Sequence, residues 1–161
     1  MIDLMPRKPR LNIHPGEWYF GNEYNILYTV LGSCVALSVW HPVLKLGGFC
    51  HYLLAQQPSH SNSMELTRGA DIGRYASSVL PLLKQAMQYY GALSEYQLGL
   101  FGGGDAFAHS TIGKKNILYA QQWLKDHKLS LTHCDLGGKS SRTLSLNITS
   151  GTLELKHYAN Q

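Results

Sequence analysis

Cys34 and His51 are the residues whose types and spacing could do chemistry in this chain. The cysteine lies in Leu31-Gly32-Ser33-Cys34-Val35, and the histidine heads His51-Tyr52-Leu53-Leu54. The thiolate is the attacking form of cysteine, and a free thiol with a pKa of about 8.5 is only a few per cent ionised at pH 7. A histidine within hydrogen-bond reach makes up the deficit, by taking the proton or by stabilising the anion as imidazolium. Gly32-Ser33 permits a tight turn before the cysteine. Such a turn exposes the sulfur and aims the Ser33 and Cys34 backbone N–H groups at an incoming carbonyl oxygen, as an oxyanion hole requires. The bland alternatives are a buried cysteine acting as a small hydrophobe and an ordinary half-buried histidine. The pairing of the two carries the chemical reading.

A metal site built from Cys34, Cys50, His51 and Cys134 is the competing use of the same residue types. Adjacent strand residues point to opposite faces, so Cys50 and His51 should not converge on one ion, and CxxC and HxxxH spacings are lacking. Neither a metal nor a cofactor is expected. Gly102-Gly103-Gly104 lacks both the Lys-Ser/Thr of a phosphate loop and the GxGxxG spacing. It reads instead as tight backbone packing or as a wall of the site. Asp105 and Asp135, each near glycines, read as turn residues. Arg142, after Gly137-Gly138-Lys139, either ties that loop to the core or meets a partner.

The elements that must position the pair follow from hydrophobic period. Trp18–Phe20 and Asn25–Leu31 read as short strands around Gly21-Asn22-Glu23. Val35–Trp40 alternates with the period of two that marks a strand. His41 to Gly48 reads as a turn region and Phe49–Leu54 as the returning strand, a hairpin that lays His51 beside Cys34. Residues 1–15, with three prolines and the basic cluster Arg7-Lys8-Pro9-Arg10, read as a flexible N-terminal tail ahead of a domain over 16–161. Ala55–Ala70 is polar and irregular, a loop of a length that tends to be functional. Apolar residues at helical spacing run from Ile72 to Tyr90, with Pro81 implying a kink or restart and Gly91 a stop. Tyr96–Phe101 reads as a strand running into the three glycines, and a second helix is predicted over Lys114–His127. Ser130–Leu136, Thr143–Thr149 and Thr152–His157 read as further strands. Many strands and two helices predict an α+β fold: a single domain with a layered, mixed or antiparallel, sandwich-like sheet core flanked by the two helices.

Bulk properties agree with a folded enzyme-sized domain. The chain has 161 residues, 44% hydrophobic and 15% charged, enough to bury a core without staples. Its formal charge of +4 is mild and lacks a Lys/Arg stripe with interleaved aromatics, which argues against nucleic-acid binding and is compatible with an acidic protein partner. Three cysteines make no disulfide framework and suit a reducing compartment. Without a signal-like opening or a run of apolar residues long enough to span a bilayer, a cytoplasmic protein with no membrane insertion is expected.

Taken in order, several segments resemble the CheD chemoreceptor glutamine deamidases of bacterial chemotaxis. They are Pro15-Gly16-Glu17-Trp18, Thr29-Val30-Leu31-Gly32-Ser33-Cys34-Val35-Ala36, Gly48-Phe49-Cys50-His51-Tyr52-Leu53-Leu54, Phe101-Gly102-Gly103-Gly104, Ile112-Gly113-Lys114-Lys115-Asn116-Ile117 and Asp135-Leu136-Gly137-Gly138, continued by Arg142 and Ser150-Gly151. The resemblance implies Cys34 as nucleophile and His51 as general base, in a papain-like arrangement on an unrelated fold. It implies a threonine as third member, for which Thr29 is the nearby candidate. It also implies glutamine-to-glutamate conversion on the cytoplasmic bundle of chemoreceptors, hydrolysis of receptor glutamyl methyl esters, and binding to a CheC-type phosphatase. His41-Pro42, Lys115 and Ala55-Gln56 depart from the family's usual residues, at turns and surface segments that bear on partner choice. Two alternatives remain open at this point. One is a regulatory adaptor that binds a phosphatase or receptor with deamidation secondary; the other is a thiol hydrolase acting on a different protein.

Overall fold

The computed structural model describes residues 6–56, 72–105 and 110–159. Among them the strands are β1 (Lys8–Asn12), β2 (Trp18–Gly21), β3 (Tyr24–Leu31), β4 (Val35–His41), β5 (Leu46–Cys50), β6 (Gln97–Gly102), β7 (His133–Leu136), β8 (Ser141–Asn147) and β9 (Leu153–Tyr158). The helices are α1 (Ala76–Tyr90) and α2 (Ile112–Asp126). The strands form a four-stranded sheet in the order β1-β3-β8-β9 and a five-stranded sheet in the order β2-β5-β4-β6-β7. Both are mixed, since β1 pairs parallel with β3 and β6 parallel with β7 while the other pairs are antiparallel. The expected α+β architecture is the one observed.

Side-chain alternation explains the layering. Along β3, Leu27, Thr29 and Leu31 are buried while Val30 is exposed, so one face of the four-stranded sheet looks inward and the other meets solvent. Every residue of β4 is buried, because this central strand is covered on both faces. Its Val35, Leu37 and Val39 pack with Val79, Leu80, Leu83, Ala120 and Leu124 of the helices. On the other face Ala36 packs with Leu31 and Leu144, and Trp40 with Leu27 and Ile148, of the opposing sheet. The order of layers is therefore sheet, sheet, helices. Each fully buried aliphatic side chain in those two seams contributes roughly 1.5–3 kcal/mol.

Local departures from the expected elements have physical causes. The stretch 8–12, expected in the tail, is a strand: β1 pairs along β3 from Lys8 opposite Tyr24 to Asn12 opposite Tyr28, and Ile13 behind it is buried. The predicted run from Ile72 is broken at Tyr75, which is extended and bridges Leu54, so α1 begins at Ala76. Its first N–H groups are satisfied outside the helix, Ala76 donating to the Leu54 carbonyl and Ser77 to that of Ala55. The helix runs continuously through Pro81. The expected turn over His41 to Gly48 is shorter than predicted, since Gly47 and Gly48 belong to β5. Gly48 lies so close to the Tyr19–Phe20 backbone of β2 that a Cβ would collide with it. The second helix starts at Ile112, capped from a distance by Asp105, whose carboxylate accepts from the Gly113 N–H at 3.0 Å and the Lys114 N–H at 3.3 Å. Most of the polar loop predicted over Ala55–Ala70 lies outside the described residues.

Candidate active site

The β4–β5 hairpin sets the register of the two residues of interest. Val35 and Tyr52 exchange backbone hydrogen bonds as an antiparallel bridge, with Val35 N–H to Tyr52 O at 3.2 Å and Tyr52 N–H to Val35 O at 3.1 Å. In that register Cys34 faces Leu53 and Ala36 faces His51, so Cys34 and His51 share one face as diagonal neighbours, a relation that spans about 7–8 Å between Cα atoms. The face is the one toward the four-stranded sheet. Cys34 packs beside Leu31, Ala36, Phe101 and Leu144 there, while Cys50 points into the helix-side core. The opposite facing of Cys50 and His51 is therefore observed. Among the described residues no three His, Cys, Asp or Glu side chains converge as a metal site would require.

Hydrogen-bond accounting assigns the state of His51. Thr29 Oγ1 lies 2.6 Å from the Ile13 carbonyl and 2.7 Å from His51 Nδ1. A hydroxyl has one proton. The Ile13 carbonyl can only accept, so Thr29 donates there and accepts from Nδ1–H of the imidazole. That tautomer leaves the lone pair on Nε2, which is buried and has no hydrogen-bond partner among the described residues. A buried nitrogen poised to accept a proton is what a general base needs. The backbone of His51 is held as well: its N–H donates to the Glu17 carbonyl and its carbonyl accepts from the Gly16 N–H.

Burial sets the protonation of both groups. His51 is 1% exposed, and burial lowers its pKa to about 4 against the partial opposition of the Ile13 carbonyl. Burial also pushes the Cys34 thiol above its ordinary value, with the residue's own backbone amide pulling the other way. The resting pair at neutral pH is a neutral thiol beside a neutral imidazole. Cys50 differs in kind, buried completely and pushed up to about 12, and Cys134 is exposed on β7.

The turn bearing Cys34 is clamped through its carbonyls. Gly104 N–H donates to Gly32 O at 2.9 Å, Asn116 Nδ2 to Ser33 O at 3.0 Å, and Gly103 N–H to Cys34 O at 2.9 Å. Among the described residues no carbonyl takes the Ser33 or Cys34 backbone N–H. Gly102 has φ of +106°, and a Cβ on it would collide with the Cys34 carbonyl oxygen. The three glycines thus serve as the tight wall anticipated for them. Arg142, 1% exposed, holds the wall from behind: its guanidinium donates to the carbonyls of Gly102, Asp135 and Gly137. Of its two anticipated roles it fills the structural one. Asp135 is a strand residue and not a turn residue, and its carboxylate meets Arg142 at 3.4 Å and His157 at 3.0 Å.

Comparison with known proteins bears on what such a site serves. The family model described as CheD chemotactic sensory transduction matches residues 54–157. A protein of Chromobacterium violaceum named probable chemoreceptor glutamine deamidase CheD 1 is 36% identical over 153 residues, covering 89% of this chain and 75% of that protein. The chain belongs to the CheD family. Further CheD relatives, also named probable chemoreceptor glutamine deamidases, include one of Dechloromonas aromatica at 33% identity over 89% of this chain and 84% of its own. Another, of Pseudomonas syringae pv. tomato, is 31% identical over 94% of this chain and 93% of its own. In this CheD chain no helix of the described residues is long and apolar enough to cross a membrane.

The fold brings Thr29 into direct contact with His51 and places Cys34 on the same inter-sheet face of the adjoining strand. Two participants escaped sequence reasoning. Ile13, assigned to a tail, supplies the carbonyl that orients the Thr29 hydroxyl. Asn116, quoted only as part of a family motif, anchors Ser33. Its signal was present in the pattern: it sits in the buried stripe Gly113, Asn116, Ala120, Trp123 and Leu124 of α2, a polar side chain on an apolar face.

Proposed function

We propose that this protein is a protein-glutamine deamidase acting on chemoreceptors, with Cys34 as nucleophile, His51 as proton carrier and Thr29 as the group that holds the imidazole. The observation that supports this reading most is the buried Nε2 of His51, unpartnered among the described residues, its tautomer set by Thr29, on the face shared with Cys34. The names of the CheD relatives supply the substrate class.

The reaction balances on these residues alone. Cys34 Sγ bonds to the carboxamide carbon of a glutamine while its proton passes to His51 Nε2. The oxyanion is held by the Ser33 and Cys34 amides, in a water-poor seam where such donors count most. The carbon–nitrogen bond breaks, and His51 returns the proton to the leaving nitrogen, releasing ammonia. Water then attacks the thioester, giving a proton to Nε2 and leaving glutamate; the thiol is restored as the carbon–sulfur bond breaks. A glutamyl methyl ester would pass through the same steps and release methanol.

Each deamidation adds a negative charge to the receptor's helical bundle and biases its signalling states electrostatically. The setting of this reading is the cytoplasm, where receptor bundles project, with a CheC-type phosphatase as a second partner. The test is intact-mass analysis of receptor cytoplasmic fragments incubated with the wild-type protein and with Cys34→Ala. A gain of about one dalton per modified glutamine, seen only with wild type, is expected. An unchanged mass on every receptor, with folded and reduced enzyme, would favour the adaptor role instead.

A further inference from the structure

We propose that Asn116 is a positioning residue: its carboxamide ties the turn that carries Cys34 to the segment that carries His51 and so sets how the two meet. This role rests on the Cys34–His51 reading above. Asn116 is 1% exposed, and its Nδ2 donates to Ser33 O at 3.0 Å and to Leu53 O at 2.8 Å. Those two bonds use both protons of a carboxamide nitrogen. One acceptor immediately precedes Cys34, and the other lies two residues beyond His51. The two segments also meet through the Val35–Tyr52 backbone pair.

The residue type is specific to the task. Aspartate has the same shape but no donors, and would aim an anionic oxygen at two carbonyl oxygens. Glutamine is one methylene too long for a group anchored on a helix, and alanine leaves both buried carbonyls unpaired. The helix is itself pinned at this point, because Tyr52 Oη donates to the Asn116 backbone carbonyl at 2.6 Å. With Gly104 on the Gly32 carbonyl, Asn116 on that of Ser33 and Gly103 on that of Cys34, all three carbonyls of the turn are spoken for. Fixing the carbonyl side of consecutive peptide planes fixes the direction of their N–H side, where the oxyanion would sit. Asn116 thereby acts on both halves of the site, the approach of thiol to imidazole and the aim of the amides.

The experiment compares the full-length wild type with Asn116→Ala, Asn116→Ser, Asn116→Asp, His51→Gln, the Asn116→Ser/His51→Gln double variant and Tyr52→Phe. The serine variant, which keeps one hydroxyl donor and no charge, serves where alanine or aspartate prevents folding. Receptor-fragment deamidation gives kcat and KM, and iodoacetamide labelling at pH 7, located by peptide mass, gives Cys34 reactivity. The Asn116 variants should lose roughly 10- to 100-fold in kcat with little change in KM. Labelling should fall to the His51→Gln level, and the double variant should fall no further, because the two substitutions remove one coupled function. Tyr52→Phe loosens the same junction without touching the carboxamide; it should melt earlier yet keep near-normal kcat. Three results would overturn the proposal: kcat near wild type in a folded Asn116 variant, multiplicative losses in the double variant, or a Tyr52→Phe defect as large as that of Asn116→Ser. Retained turnover in Cys34→Ala would instead sink the underlying reading, whereas a dead Cys34→Ala beside a fully active Asn116→Ser would sink the positioning role alone.

Discussion

Lowering the pH from 7.5 to 5 should destabilise this protein through His51. The folded imidazole titrates at about 4 against an ordinary value of 6.5, with burial as the main cause. As pH falls through 6.5 the unfolded chain takes up a proton that the folded chain refuses. Stability from this group is therefore complete above 6.5, is lost across the interval down to 4, and is level below it. At about 1.36 kcal/mol per pKa unit the full loss is about 3 kcal/mol, of which about 2 kcal/mol falls between pH 7.5 and 5. With 1% exposure there is little solvent to screen the effect. Urea unfolding of wild type and His51→Gln across this range isolates it, since all other titrating groups are common to both. The two stability curves should converge by about 2 kcal/mol toward pH 5. Parallel curves would refute the argument that burial holds the imidazole neutral. The same group should set the acid limb of kcat/KM, with a midpoint near 4; a limb centred on 6.5 would refute it independently.

Three further outcomes follow from the geometry. Thr29→Val removes one hydroxyl and strands both Nδ1–H of His51 and the Ile13 carbonyl; it should cost about 1–3 kcal/mol in urea unfolding and lower kcat, while Thr29→Ser keeps most of both. Gly102→Ala adds a clash with the Cys34 carbonyl to the strain of a positive φ, whereas Gly137→Ala at φ of +77° meets nothing within 4 Å. Gly137→Ala should therefore cost about 1 kcal/mol and keep turnover, and Gly102→Ala should cost more and abolish it, as thermal melts and mass assays will read. Arg142→Leu removes the guanidinium from the carbonyls of Gly102, Asp135 and Gly137, of which Gly102 keeps the Gly137 N–H, and should cost about 2–3 kcal/mol, measured by urea unfolding.

What was legible in the sequence was what local pattern decides. The alternation through Val35–Trp40 and the return of an apolar run after the His41–Gly48 stretch imply a hairpin, and a hairpin of that register puts Cys34 and His51 on one face. Apolar spacing likewise implies both helices. The first strand was not legible, because Arg7-Lys8-Pro9-Arg10 carries no alternating apolar signal. Its conformation comes from pairing with the edge of β3 and from the burial of Ile13, both tertiary effects. Thr29 came into view through family resemblance; as a residue it is one more β-branched position in a strand. Asn116 needed three dimensions, since its two acceptors lie 83 and 63 residues away along the chain.

The pairing of β3 with β8, in which Thr29 stands opposite Leu144, has a consequence for the life of the molecule. Cys34 and His51 are translated early, and Leu144 far later. A chain still emerging from the ribosome holds the thiol and the imidazole long before it holds the strand that pairs along Thr29, the residue against the imidazole. Closing so long a loop is slow relative to local hairpin formation. On the proposed mechanism, completion matters: a copy that ends before β8 carries the same two side chains without the strand that pairs along Thr29.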